Sequence, residues 1–228
     1  TTMSASSGGN HNDTLVISYL TLRKAVGILG MILPFLLIFG YLFFEKDCTF
    51  PPSISQFYYT DMGNWFVGTL CAVSLFMFCY NGHDKGDKIA AKLAGFFALL
   101  VAMFPTNFGS YADMHCSRIT DGESAVANTL HYVSASIFFL TLAFFCLFQF
   151  VKTKQQGPVE GAKKTRNGIY KICGWVILIS LGGISVVSFV PGLYEKLKSF
   201  KPTFVLETIA LLAFGFSCSP ALFKIFFG

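Results

Sequence analysis

The apolar residues of this chain come in long runs, and its charges cluster in the links between those runs instead of alternating with them. A bilayer span needs about 20 mostly apolar residues. By that measure the pattern predicts six spans, over residues 25–44, 62–80, 89–104, 126–150, 172–190 and 203–223. Residues 15–22 form a shorter apolar stretch that ends at Arg23 and Lys24 and reads as an interfacial lead-in to the first span. Pro34 falls inside the first span and is a kink candidate. Pro105, Pro191 and Gly192 end the third and fifth spans. Gly174, Gly182 and Gly183 mark the fifth span for close helix approach. Trp65, at the entry of the second span, suits the headgroup level.

The predicted fold class is therefore all-α: a polytopic membrane protein with six transmembrane helices in one bundle. Residues 1–14 read as a disordered polar tail, and 15–228 as a single transmembrane domain without internal repeats. Composition agrees. Only 13% of the residues are charged and 54% are apolar, against about 25% charged in soluble domains. The 27 Phe read as packing and lipid-facing surface.

Charge placement adds an orientation. Of the 17 Lys and Arg, only Lys46, Arg118, Lys196, Lys198 and Lys201 fall on the side opposite the N-terminus. The positive-inside rule then places both termini in the cytoplasm. The loops after the first, third and fifth spans face the exterior or a lumen. Cys48 and Cys116 are the two cysteines in those loops, on the oxidising side, so a Cys48–Cys116 disulfide is expected. The cytoplasmic link over residues 152–171 is an ordinary positive-inside loop that can also attract anionic headgroups. No basic stripe with interleaved aromatics is present, so nucleic acid is not an expected partner.

The stretch from Cys48 to Tyr80 carries the candidate chemistry. It begins as a polar, proline-broken, tyrosine-rich loop and runs into the second span. Ser53, Ser55, Tyr58, Tyr59, Asp61 and Asn64 lie there. The loop after the third span adds Asp113 and His115, the fourth span adds His131 and Ser134 on one helical face, and the sixth adds Glu207. An ionisable group inside a span is costly, so it faces the bundle interior and has a partner. His131 and Glu207, each about a turn below the exterior surface, are expected to pair or to be solvated there. Together these residues outline a polar cavity open to the exterior that would take a lipid headgroup or a partner.

A catalytic alternative uses His131, His115, Asp113 and Glu207 as a hydrolase or lipid-remodelling site. No HExxH, CxxC or HxxxH spacing marks a metal site, and no cofactor is expected. No G-x-S-x-G, Walker A loop or dinucleotide fingerprint occurs. The span centres carry mostly Phe, Leu, Ala, Val and Gly, which disfavours a conduction path through one chain.

Cys48, Pro51, Pro52 and the Ser53-Ile54-Ser55 motif precede the second span, and His131-Tyr132-Val133-Ser134-Ala135 opens the fourth. In this layout the chain resembles the Frag1/DRAM/Sfk1 (and DUF998-like) six-span membrane proteins. The family loop often reads S-D-x-G after the serine, where this chain has Gln56 and Phe57. The resemblance implies a role in lipid homeostasis, autophagy or GPI-anchor remodelling, and it brings no catalytic residue with it. The expected function is lipid or partner binding without catalysis, as an accessory subunit of a membrane assembly or a homo-oligomer. The hydrolase is the alternative, and a transporter or channel comes third.

Overall fold

The computed structural model describes residues 10–45, 49–82, 84–107, 124–152 and 161–219. Among these the chain is helical, with no strands. The helices are α1 (Asn10–Phe44), α2 (Gly63–Cys79), α3 (Lys85–Met103), α4 (Ala125–Phe144), α5 (Gly161–Phe189), the short α6 (Leu193–Leu197) and α7 (Pro202–Cys218). The six long ones close a ring in space: α1 packs on α2, α2 on α3, α3 on α4, α4 on α5, α5 on α7, and α7 back on α1.

Local chemistry fixes the helix ends. The Asp84 carboxylate caps α3 by accepting the Asp87 N–H at 2.7 Å, and the Ser124 hydroxyl caps α4 by accepting that of Ala127 at 3.3 Å. Pro202 opens α7, where its missing N–H costs nothing. Gly192 takes a left-handed φ of 73° in the turn between α5 and α6. At its far end α4 widens into one π turn, Phe145–Gln149, closed by the Phe150 N–H on the Phe145 carbonyl at 2.9 Å.

Among the described residues three helical stretches are long and apolar enough to cross a membrane: Leu20–Phe44, Ala125–Gln149 and Lys163–Phe189. A fourth follows if Leu193–Phe200 and Pro202–Cys218, bent by 64°, count as one. The six expected spans are not all of that kind. Helix α2 has only 17 residues, about 26 Å of rise. Lys85, Asp87, Lys88 and Lys92 dilute the apolar length of α3. Large apolar side chains stand exposed all round the bundle, among them Phe39, Phe96, Phe148, Ile179 and Phe189.

Residues 15–22 are not a separate interfacial segment. They belong to α1, which runs unbroken through Arg23 and through the buried Pro34. The reason is the surroundings of Arg23. Its side chain is buried, with the guanidinium 3.4 Å over the Phe150 ring and 5.0 Å from that of Tyr170, and it donates to the Ser217 carbonyl. A cation satisfied in this way need not end the helix.

The core has two parts. One, at the Arg23 end, packs Ala90, Ala91, Ala94 and Ala98 of α3 against Met77, Phe138, Phe145 and Phe214. Those alanines let α2 and α4 close on α3, and the Ser74 hydroxyl reaches the Gly95 carbonyl at 2.7 Å. The other, at the opposite end, packs Leu33, Leu37, Phe66 and Phe204 around Ile54 and Phe57. The glycines flagged in the sequence divide. A Cβ on Gly174 would strike Leu147 and one on Gly183 would press on Leu206, but Gly182 faces open space. A close helix contact lies elsewhere, where Gly27 of α1 meets Gly215 and Cys218 of α7.

Candidate functional site

Residues 51–60, between α1 and α2, form a plug rather than a solvated loop. Pro51, Ile54, Ser55, Gln56 and Phe57 are all buried. Residues Ser55–Tyr59 form a 3-10 turn. Phe57 sits fully buried among the rings of Tyr41, Phe50 and Phe204. Backbone bonds hold the plug in place. The Phe204 N–H donates to the Pro52 carbonyl at 3.0 Å, and the Lys201 ammonium donates to the Phe50 carbonyl. The Tyr59 hydroxyl donates to the Thr106 carbonyl at 2.6 Å.

Two further bonds tie consecutive plug residues to two different helices, α7 and α4, on either side of α5. The Ile54 N–H donates to the Glu207 carboxylate of α7 at 2.6 Å. The Ser55 hydroxyl lies 2.9 Å from Nε2 of His131 on α4. His131 and Glu207 are thus linked through the plug, and neither is bonded directly to the other. On its other side, His131 Nδ1 stands 2.7 Å from the Phe104 carbonyl. A carbonyl can only accept, so Nδ1 carries the hydrogen. In the neutral ring Nε2 is then the acceptor, and the Ser55 O–H donates to it.

Beside this chain of bonds, between α4, α5 and α7, lies a cavity of about 350 Å³. Ser53, Ser55, Gln56, Asn128, His131 and Glu207 form its polar end. Ala135 and Phe139 of α4 and Leu181 and Ile184 of α5 give it an apolar side, and Tyr132 and Tyr194 add amphipathic walls. Polar groups with bonding capacity left among the described residues line it: Gln56 Oε1, which is buried without a hydrogen-bond partner, the Asn128 amide and the Glu207 carboxylate. The Asn128 carbonyl oxygen accepts from Thr106 Oγ1 at 3.2 Å and from the Asn107 N–H at 2.8 Å, which fixes the amide and leaves its NH₂ without a partner. Glu207 has one carboxylate oxygen on Ile54 and a second that bonds nothing.

Of the residues singled out in the sequence, Ser53, Ser55, His131 and Glu207 meet at the cavity. Ser134 is buried one turn beyond His131 but does not line it. Tyr58 packs edge-on against Tyr59. Asp61 and Asn64 are exposed at the start of α2, away from the cavity, and the Asp61 N–H donates to the Glu45 carboxylate at 3.0 Å. Asp113, His115, Cys48 and Cys116 lie outside the described residues, and the expected disulfide lies there with them. Among the described residues no three His, Cys, Asp or Glu side chains cluster as metal ligands. Sequence reasoning missed Asn128, Thr106 and Asn107. The one available signal was the spacing of Asn128 three residues before His131, which puts both on one face of α4.

No protein family, curated protein or solved structure matches this chain.

Proposed function

We propose that the chain is a six-span membrane protein that binds a membrane lipid by its headgroup, in the cavity between α4, α5 and α7. The observation that carries this reading is the division of the cavity. One end is polar, with an amide NH₂ and a carboxylate oxygen still able to bond, and Ala135, Phe139, Leu181 and Ile184 give the α4 and α5 walls apolar surface, with Ser136 and Ser188 among them. An amphipathic molecule fits that gradient with its headgroup at Ser55, Asn128 and Glu207 and its chains along Ala135, Phe139 and Leu181. The volume of about 350 Å³ lies within the range of about 300–1,000 Å³ common for ligand pockets. Short α2 and charged α3 complete the bundle as spans, because they pack side by side between the longer α1 and α4 in the closed ring. The distribution of Lys and Arg supports cytoplasmic termini, which puts the cavity at the exterior end.

Native mass spectrometry of protein released from phospholipid nanodiscs tests the reading. Wild type should retain lipid at a fixed stoichiometry. Ala135→Trp, which fills the apolar wall, should lower that occupancy at least about fivefold while the melting temperature holds within a few degrees. Equal occupancy in the two proteins would overturn it.

A further inference from the structure

We propose that Ser55 is a nucleophile and His131 its general base, so that the cavity supports acyl transfer from a lipid ester. The inference rests on the lipid-binding reading above. Three groups stand in line: Ser55 Oγ 2.9 Å from His131 Nε2, and His131 Nδ1 2.7 Å from the Phe104 carbonyl. That is the order of nucleophile, base and orienting acceptor that activates a serine hydroxyl. Here a backbone carbonyl takes the place of the carboxylate that usually fixes the imidazole. Both side chains are walls of the cavity, so the hydroxyl is presented to whatever the cavity holds. Asn128, three residues before His131 on the same face of α4, offers its unpartnered NH₂ to an oxyanion formed there. A structural latch would need only the serine and histidine; it explains neither the open cavity beside them nor the spare donor facing it.

The chemistry balances without a cofactor. Ser55 Oγ bonds to the ester carbonyl carbon, and its proton passes to Nε2. The bond from that carbon to the alcohol oxygen breaks, and the departing oxygen takes the proton from Nε2. Water, or the hydroxyl of a second lipid, then attacks the acyl-Ser55 ester and gives its proton to Nε2. Oγ leaves with that proton, and Ser55 is restored. Glu207 takes no part in these steps. It holds the Ile54 N–H, and with it the position of Ser55, and is a positioning residue.

The test is reaction of the full chain, in phospholipid nanodiscs, with an alkyl fluorophosphonate, followed by peptide mapping and by a lipid count on the same sample. We expect stoichiometric modification at Ser55. Ser55→Ala should abolish it. His131→Gln, which keeps a polar group in place but supplies no comparable base, should slow it by about 10²–10⁴-fold. Ser185→Ala, an exposed hydroxyl bonded to the Leu181 carbonyl on α5, should change nothing. Melting curves of each variant separate lost reactivity from lost fold. If wild type retains lipid yet Ser55 stays unmodified, the nucleophile is overturned and lipid binding stands. Modification confined to other serines overturns it equally. If neither lipid nor modification is found, both readings fall.

Discussion

Glu207 and Arg23 each bond across one end of this bundle, and each makes a distinct prediction. The Glu207 carboxylate accepts the N–H of Ile54, which is 4% exposed. Glu207→Gln keeps an acceptor oxygen for that N–H, so the melting temperature should fall by no more than a few degrees. Glu207→Ala leaves the buried donor unpaired and should cost about 1–3 kcal/mol. If the two variants melt alike, the bond does not anchor the plug. At the other end the Arg23 guanidinium stands over the Phe150 ring while bonding the Ser217 carbonyl. An ammonium has no planar face to set over a ring while one of its N–H groups bonds a carbonyl. Arg23→Lys should therefore destabilise by about 2 kcal/mol, measured by thermal or denaturant unfolding in detergent. A neutral result would mean that charge alone matters there.

At the scale of elements, backbone approach decides what substitution is tolerated. A Cβ on Gly63 would stand 2.3 Å from the Tyr58 carbonyl oxygen, and backbone cannot step aside. Gly63→Ala should cost about 1–3 kcal/mol, while Gly182→Ala, with nothing within 4 Å, should stabilise slightly or be neutral. The reverse order in unfolding measurements would mean that the plug does not meet α2 so closely. The start of α3 and the end of α4 are joined by the exposed Lys152–Asp84 ion pair at 2.6 Å. The bond from Lys152 holds the Asp84 carboxyl below its ordinary value, helped by the Asp87 N–H. A depressed carboxyl contributes stability above its unfolded value, near 4, and loses it as pH falls through the lower folded value. Lys152→Ala should thus flatten the acid side of the stability curve, with a small effect at neutral pH because the pair is solvated. An unchanged acid limb would show that the pair contributes nothing.

The positions of the long helices were legible in the sequence because apolar length is a local signal. Expected spans 62–80 and 126–150 lie within two residues of α2 and of α4 with its π turn. The beginnings of α1 and α5 were not legible, because helices there continue through charged residues, and only tertiary surroundings such as the rings over Arg23 show why. The plug was misjudged for the same reason. Prolines, serines and tyrosines between two apolar runs look like a solvated loop. Their burial depends on Phe57 finding Tyr41, Phe50 and Phe204, residues from distant parts of the chain. His131 and Glu207 stood out as ionisable groups in apolar surroundings, but the partner of each is a plug residue, a pairing that no spacing in the sequence encodes.

Over the whole molecule, a closed ring of helices is stoppered at one end by its own first loop, with a cavity left open beside the stopper between α4, α5 and α7. Everything proposed about function depends on that space being filled by a lipid. The most direct measurement is a crystal structure of the full chain grown from a phospholipid-doped mesophase. Lipid in the cavity should give continuous density from Ser55, Asn128 and Glu207 along Ala135, Phe139 and Leu181, with a headgroup at the polar end and an acyl chain on the apolar wall. A cavity occupied by water alone, or closed by movement of α5 onto α4, would contradict the lipid-binding reading.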